Sequence, residues 1–229
     1  MACSQTGNRL KLSILIPVYN EEAAIEELIR RVAAVELEKE IIVVDDCSND
    51  GTSDILAGLQ LPSLQVIRHD TNRGKGSGVR TALAAATGDV VVIQDADLEY
   101  EPQDFVRLIS RLERGEAEAI YGARDLSSQG WFRRWGNRFL TRVTNLLYGT
   151  RLQDMETCYK MMPLELARSL DLRANRFDLE PEITAKIAKR GHKIKEVPIA
   201  YTPRIERKLN PWRDGLPALW MLVKCRFSS

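Results

Sequence analysis

Four short β-branched runs dominate the N-terminal part of the chain: "LSILIPV" (Leu12 to Val18), "EIIVVD" (Glu40 to Asp45), "LQVI" (Leu64 to Ile67) and "DVVVIQD" (Asp89 to Asp95). Segments of helical periodicity separate them. The first carries Ala24, Ile25, Leu28, Ile29 and Val32 at the i, i+3, i+4 spacing of one buried helix face. Strand, helix, strand, helix predicts an α/β fold in which a mostly parallel sheet is covered on both faces. Asn20 is expected to cap the first helix, with Glu21 and Glu22 in its first turn, and Gly88 follows an Ala-rich helix ending near Thr87. From about Arg124 the pattern shifts toward helices, "WFRRWGNRFLTRVTNLLYG" and "PEITAKIAKRG", with a late strand in "IKEVPIAY". A chain of 229 residues, 44% hydrophobic and without repeat or linker, is sized for one core. We therefore expect one domain over residues 1–229, with a core at about 12–203 and a basic loop and amphipathic helix over 204–229.

In such sheets ligands bind beyond the carboxyl ends of the strands, where this chain places "YNEE", "DDCSNDGT" and "DADLE". The last cluster is the most demanding. "VVVIQDADLEYEP" runs from a strand fit for burial into Asp95, Asp97, Glu99 and Glu101, a density of charge that requires water or a cation. Asp95 and Asp97 are two apart, so on an extended segment both point to one side and can share a ligand. Magnesium or manganese bound to a diphosphate suits such a pair, because hard ions are held by one or two carboxylates with phosphate and water completing the shell. An isolated D-x-D is also a common surface loop, and needs further motifs to mean more.

Composition removes several function classes. A net charge of +1 argues against nucleic-acid binding by bulk electrostatics. Cys3, Cys47, Cys158 and Cys225 form no Cys-x-x-Cys pair, and His69 and His192 are the chain's two histidines, so a structural zinc site is not expected. "MACSQTGNRLK" lacks an apolar secretory core, which makes the cytoplasm the expected compartment. The apolar run "LPALWMLV" falls far short of the roughly 20 residues of a membrane span. "NRGKGSG" fails as a phosphate loop, since His69 stands where the first glycine belongs and Gly74, Gly76 and Gly78 lack dinucleotide spacing.

The ordered set "IPVYNEE", "VVDDCSNDGT", "NRGKGSGVRTAL", "GDVVVIQDADLEYEP", "YGAR", "DMETCYKMM", "RFDLEPEITAKIAKRG" and "EVPIAY" resembles the family 2 inverting glycosyltransferases of GT-A fold, from about Leu12 to Trp212. It is most similar to the branch that includes dolichol-phosphate mannose synthases and bacterial undecaprenyl-phosphate sugar transferases. The resemblance implies a single Rossmann-like GT-A domain and a role for each match. Pro17, Tyr19 and Glu21 line the nucleotide pocket; Asp46 hydrogen-bonds the base with the Val44 backbone nearby; Asp95, Ala96 and Asp97 hold Mg2+ or Mn2+ and the diphosphate. A carboxylate at Asp46 accepts from guanine and uracil alike, so GDP- and UDP-sugars both fit. The glycines of "NRGKGSG" are expected to let backbone approach the sugar nucleotide, with Arg73 and Lys75 as counter-charges. Arg124 contributes to the donor site or forms a structural salt bridge, and Arg204 and Lys208 sit in the basic loop that closes over donor diphosphate and acceptor phosphate.

Inverting transfer requires a nucleophile behind the anomeric carbon and relief of charge on the leaving diphosphate, the latter the task of a metal on Asp97. For a hydroxyl acceptor, Asp154 and Glu156 of "DMET" are the candidate bases; for a lipid phosphate, already anionic, Asp154 positions instead. Arg133, Arg134, Arg138 and Arg142 interleave with Trp131, Phe132, Trp135 and Phe139 without an acid, as a membrane-interface helix requires, and "WRDGLPALWMLVKCRF" offers a second such segment; a helix packed by its aromatics onto the sheet with a solvated Arg face is the alternative. Glu180 and Glu182 open a helix, where the dipole alone favours acids, so a structural role is the default and the resemblance adds a donor or acceptor contact as the alternative; Cys158 is expected to be packing. The leading expectation is metal-dependent hexose transfer from a nucleotide sugar to a polyprenyl or dolichyl phosphate by a peripheral enzyme on the cytoplasmic membrane face. A hydroxyl acceptor and a turnover-free nucleotide-sugar-binding protein are the alternatives. A nucleotidyltransferase is set aside, because it needs a Gly-rich loop where this chain has "PVYNEE".

Overall fold

Strand β1 (Leu12–Val18) is buried along its whole length and pairs in parallel with both β2 (Lys39–Asp45) and β4 (Val90–Ile93). The structure, a computed structural model, describes residues 10–127, 131–204 and 211–227. Side chains alternate across these strands. Ile14, Ile16, Ile41, Val43, Val90 and Val92 face one hydrophobic cluster, and Leu15, Ile42, Val44, Val91 and Ile93 face another. Both faces of the strands therefore need a helical cover, as their continuous β-branched composition implies. Helices α1 (Ile25–Ala34) and α4 (Asp104–Glu113) cover the first face; α3 (Lys75–Ala85) and α7 (Leu179–Lys189) cover the second.

The sheet has seven strands in the order β3-β2-β1-β4-β6-β5-β7, with β3 at Leu64–Arg68, β5 at Ala119–Arg124, β6 at Lys160–Pro163 and β7 at Ile194–Ile199. Strand β6 is antiparallel to β4 and β5, and the other pairings are parallel. The chain runs outward from β1 through α2 (Thr52–Gly58) to β3, then returns to the far side of β1 as β4. That reversal puts a switch-point crevice at the carboxyl ends of β1 and β4. After β5, the long α5 (Trp131–Tyr148) and the short α6 (Leu164–Ser169) flank β6, and α8 (Pro211–Phe227) packs on α5, where Tyr148 Oη donates to Leu222 O at 2.6 Å.

Local structure departs from the sequence expectation at the first helix start and adds detail elsewhere. Asn20 is not the cap of α1, which begins at Ile25; Asn20 is drawn into a left-handed conformation (φ 54°), its N–H bonding Ser48 Oγ at 3.0 Å and its side-chain oxygen accepting from Asn49 N at 2.9 Å. The Ala-rich helix α3 ends at Ala85, and Gly88 is needed for close approach, since a Cβ there would lie 2.6 Å from Lys11 O. Strand β6 and helix α6 carried no β-branched run or apolar stripe long enough to reveal them.

Glu40 ties the amino-terminal edge of the sheet together. It accepts from Lys11 Nζ at 2.7 Å, from Ser13 Oγ at 2.6 Å and from the Thr87 and Gly88 amides. Burial opposes its ionisation, but the bonds from Lys11, Ser13 and Thr87 outweigh that and pull the carboxyl from 4.5 down to about 2. A depressed folded value stabilises the fold above the unfolded pKa and is lost as pH falls through the folded one. Urea unfolding is therefore expected to show stability falling between about pH 4.5 and 2, and Glu40→Gln should flatten that part of the profile.

Candidate functional site

The loop after β4 carries Asp95, Ala96 and Asp97 into the crevice, and its neighbours come from both ends of the chain. Gln94, fully buried, holds the start of the loop: its Nε2 donates to Asp95 O at 2.8 Å and its Oε1 accepts from Tyr159 Oη at 2.6 Å. Asp97 Oδ1 accepts from Glu99 N at 3.1 Å, and burial together with Asp95 pushes the Asp97 carboxyl up to about 7 despite Arg204 and Lys75 nearby. Two carboxylates that repel one another in a half-buried loop form a donor set that a divalent cation relieves. Among the described residues no third His, Cys, Asp or Glu joins them in a cluster. The pair therefore fits Mg2+ or Mn2+ that draws its remaining ligands from a diphosphate and water.

Positive charge approaches this loop along two routes. Lys75, at the start of α3, lies 2.5 Å from Asp95 Oδ1 and 2.6 Å from Glu180 Oε1 of α7. Arg204 donates to Glu21 Oε2 at 2.8 Å, and its backbone N–H bonds Glu99 Oε1 at 2.9 Å. Tyr201 Oη also reaches Glu99, at 2.8 Å, and Tyr201 bridges Tyr100, so the chain entering the basic loop is stitched to the carboxylate loop. Lys208 lies outside the described residues.

Several residues serve differently from their sequence expectation. Asp46 is buried, and its carboxylate is spent on protein groups: Arg73 N at 2.9 Å, Gly74 N at 2.7 Å and His69 Nδ1 at 2.7 Å, with His69 Nε2 in turn 2.8 Å from Thr81 Oγ1. Pro17 and Val44 are buried beneath α3, where a Cβ on Gly78 would stand 2.9 Å from Pro17 Cβ; Tyr19 is exposed at the mouth. Gly74, before α3, and Gly76, in its first turn, come close to protein backbone: a Cβ would lie 2.4 Å from Asn175 O at the first and 2.3 Å from Ala174 O at the second. Gly76 and Ser77 donate to Asn175 O at 2.9 and 3.3 Å, so this helix start is already capped by protein.

Arg124, ending β5, is a structural partner of Asp154. Its Nε and Nη2 reach the two carboxylate oxygens at 2.6 and 2.8 Å, and the guanidinium lies 5.2 Å from the Tyr201 ring centre. Asn137 of α5 adds a bond at 3.0 Å, and Glu196 accepts from Asp154 N at 2.8 Å. Although burial opposes it, Arg124 holds the Asp154 carboxyl below its ordinary value, which makes Asp154 a poor proton acceptor. Glu156 is the opposite case. Its Oε1 has no hydrogen-bond partner, and burial with Glu180 nearby pushes its carboxyl up to about 7. Lys160, fully buried, donates to Met155 O and Thr157 O at 2.6 and 2.7 Å; burial brings it down to about 8 against Glu180 and Glu156. Cys158 is buried packing, as its sequence context implied. Glu182 accepts from the Arg173 and Ala174 amides and from Lys186, a structural clamp on the loop before α7. The roles of His69, Glu99, Glu196, Asn137 and Lys160 had no sequence signal, because each depends on a partner far away in the chain.

Comparison with known proteins agrees with this crevice. A family profile described as "Glycosyl transferase family 2" matches residues 13–170. The chain belongs to glycosyl transferase family 2, and its domain is a glycosyltransferase domain of GT-A fold. It is 32% identical over 151 residues to the undecaprenyl-phosphate 4-deoxy-4-formamido-L-arabinose transferase of Enterobacter sp. (strain 638), an alignment that covers 63% of this chain and 46% of that relative, less than half its length. An uncharacterized protein of Methanocaldococcus jannaschii is 29% identical over 202 residues, 84% of this chain and 82% of the relative. Among solved structures, the glucosyl-3-phosphoglycerate synthase of Mycobacterium tuberculosis with UDP superposes with a TM-score of 0.77 at 22% identity, covering 96% of this chain and 80% of that one. The same enzyme with Mn2+, UDP and phosphoglyceric acid gives 0.76 at 20% identity, covering 97% and 80%.

Removing Arg124 leaves a buried carboxylate uncompensated. Arg124→Met is expected to cost about 3–5 kcal/mol of folding stability, measured by urea denaturation, and adding Asp154→Asn should restore part of it.

Proposed function

We propose that this protein transfers a hexose, with inversion, from a GDP- or UDP-sugar to a polyprenyl or dolichyl phosphate at a membrane surface, as a peripheral enzyme on its cytoplasmic side. The observation that carries the acceptor is the shape of α5. Its inner face gives Asn137 to Asp154 and buries Thr141 and Thr144, while Trp131, Trp135, Phe139 and Leu146 form one exposed stripe flanked by exposed Arg138 and Arg142. On α8, Leu216, Trp220, Val223 and Phe227 form a second exposed stripe, with Lys224 Nζ 4.7 Å from the Trp220 ring centre. Large apolar side chains held out to solvent beside basic ones suit the headgroup layer of an anionic bilayer. No described helix is long and apolar enough to cross a membrane. The likeness to an undecaprenyl-phosphate transferase points the same way.

In this reading Tyr19 and Glu21 border the nucleotide, and Asp46 fixes the backbone of residues 73–74 beside it. Asp95 and Asp97 hold Mg2+ or Mn2+, which when bound supplies a Lewis acid that neutralises charge on the departing diphosphate. Arg204 brings positive charge to the same loop from the side of the acceptor phosphate, with Lys208 following it. Arg204 and α8 are thus assigned to the acceptor side of the same domain. A phosphate nucleophile needs no proton removed, so Asp154 acts by positioning Arg124 and α5.

Glu156 supports a second reading, a hydroxyl acceptor, because a carboxyl with an unpartnered Oε1 and a value near neutrality is what a general base requires. One assay separates the two. With radiolabelled GDP- and UDP-sugars and undecaprenyl or dolichyl phosphate, label is expected in the organic phase, to be lost with EDTA, and to fall at least about 100-fold in Asp97→Asn. Glu156→Gln should stay within about tenfold of the parent, whereas a hydroxyl acceptor would lose about 100- to 10,000-fold. Trp135→Glu with Trp220→Glu should abolish sedimentation with anionic vesicles while donor binding persists.

A further inference from the structure

Lys75 stands between two carboxylates brought from distant parts of the chain, 2.5 Å from Asp95 and 2.6 Å from Glu180. Its backbone cannot slide to follow a ligand. A Cβ at Gly74 or Gly76 would lie 2.4 or 2.3 Å from the carbonyl oxygens of Asn175 and Ala174, and the first turn of α3 is hydrogen-bonded to Asn175 O. The flexible stem of the side chain is the part that can move, and its compact ammonium can pass from one carboxylate to the other.

Asp95 therefore already has a cation. An ammonium and a divalent ion on one carboxylate repel each other at short range in a half-buried loop. We propose that Lys75 is a resident counter-charge on Asp95 that the metal must move aside, with Glu180 as the seat to which the ammonium withdraws. The metal is then taken up together with the nucleotide diphosphate and not ahead of it. Two features favour that order. Asp95 and Asp97 are too few ligands for tight capture of a bare ion, and no third acid, His or Cys clusters with them among the described residues. The diphosphate also brings the negative charge that lets metal and ammonium stay close together. Lys75 is thus a positioning residue that offsets the charge of Asp95 in the empty crevice and links metal entry to donor entry. This inference rests on the assignment of Asp95 and Asp97 as metal carboxylates.

The test reads Mn2+ binding by electron paramagnetic resonance, first without donor and then with UDP or GDP. In Lys75→Met, donor-free Mn2+ binding is expected to tighten about tenfold or more, and the added gain from nucleotide should shrink. Glu180→Gln, which leaves the ammonium on Asp95, is expected to weaken donor-free Mn2+ binding. Changes of opposite sign are what a purely structural ion pair would not produce. Such a pair would lower the unfolding temperature of both variants and leave Mn2+ affinity unchanged, and that result overturns the proposal. Unchanged or weaker Mn2+ binding in a folded Lys75→Met protein overturns it as well. Asp97→Asn keeps the two levels apart. If Mn2+ binding is lost there but indifferent to Lys75, the counter-charge role fails alone; if no protein binds Mn2+ with or without nucleotide, the metal assignment fails with it.

Discussion

The carboxylates at the end of β4 repel each other across one residue in a loop that is partly closed off from water, and the surrounding elements bring positive charge to that point. Burial and Asp95 together push Asp97 up to about 7, so this charge is costly in the isolated chain. Lys75 reaches it from α3 and Arg204 from the segment after β7. Neither cation is loose. Lys75 is shared with Glu180 and Arg204 with Glu21, so each is held by an acid outside the loop. The crevice is thereby built as a charge lattice centred on Asp95 and Asp97.

A second lattice surrounds Arg124 and has a different purpose. Arg124, Asp154, Asn137 and Glu196 come from β5, the loop before β6, α5 and β7 respectively, and their bonds fasten the elements that flank the crevice. Satisfied buried networks of this kind confer rigidity, and a half-satisfied one costs more than none. Glu156, beside it, is left with an oxygen that bonds nothing. Thr157 Oγ1, next to it in the chain, is likewise buried without a partner, so the satisfied network ends at this pair of residues.

Much of the fold was legible because local composition and tertiary environment agree. The limits of β1 coincide with the run Leu12 to Val18, and β2 and β4 match their runs within a few residues, because strands buried on both faces must be β-branched throughout. Strand β6 was hidden, since "KMMP" is set by its neighbours β4 and β5 and not by propensity. In the site, Asp95 and Asp97 announced themselves by density of charge at a strand end. The use of Asp46 as a backbone anchor did not. It depends on Arg73, Gly74 and His69, which only the closed sheet brings near. The glycines of "NRGKGSG" hid a second demand for a related reason: the backbone of Asn175 and Ala174, about a hundred residues on, comes close to Gly74 and Gly76.

The partners of the crevice are separated by long stretches of chain, Lys75 from Glu180 and Glu99 from Arg204 by 105 residues each. Contacts so distant form late in folding, after the loop-closure entropy between them has been overcome. A chain emerging from the ribosome completes β4 and exposes its acids well before α7 arrives to balance Lys75. The half that carries the carboxylate loop is thus electrostatically unfinished until the last third is made, because Glu180 and Arg204 both lie beyond it.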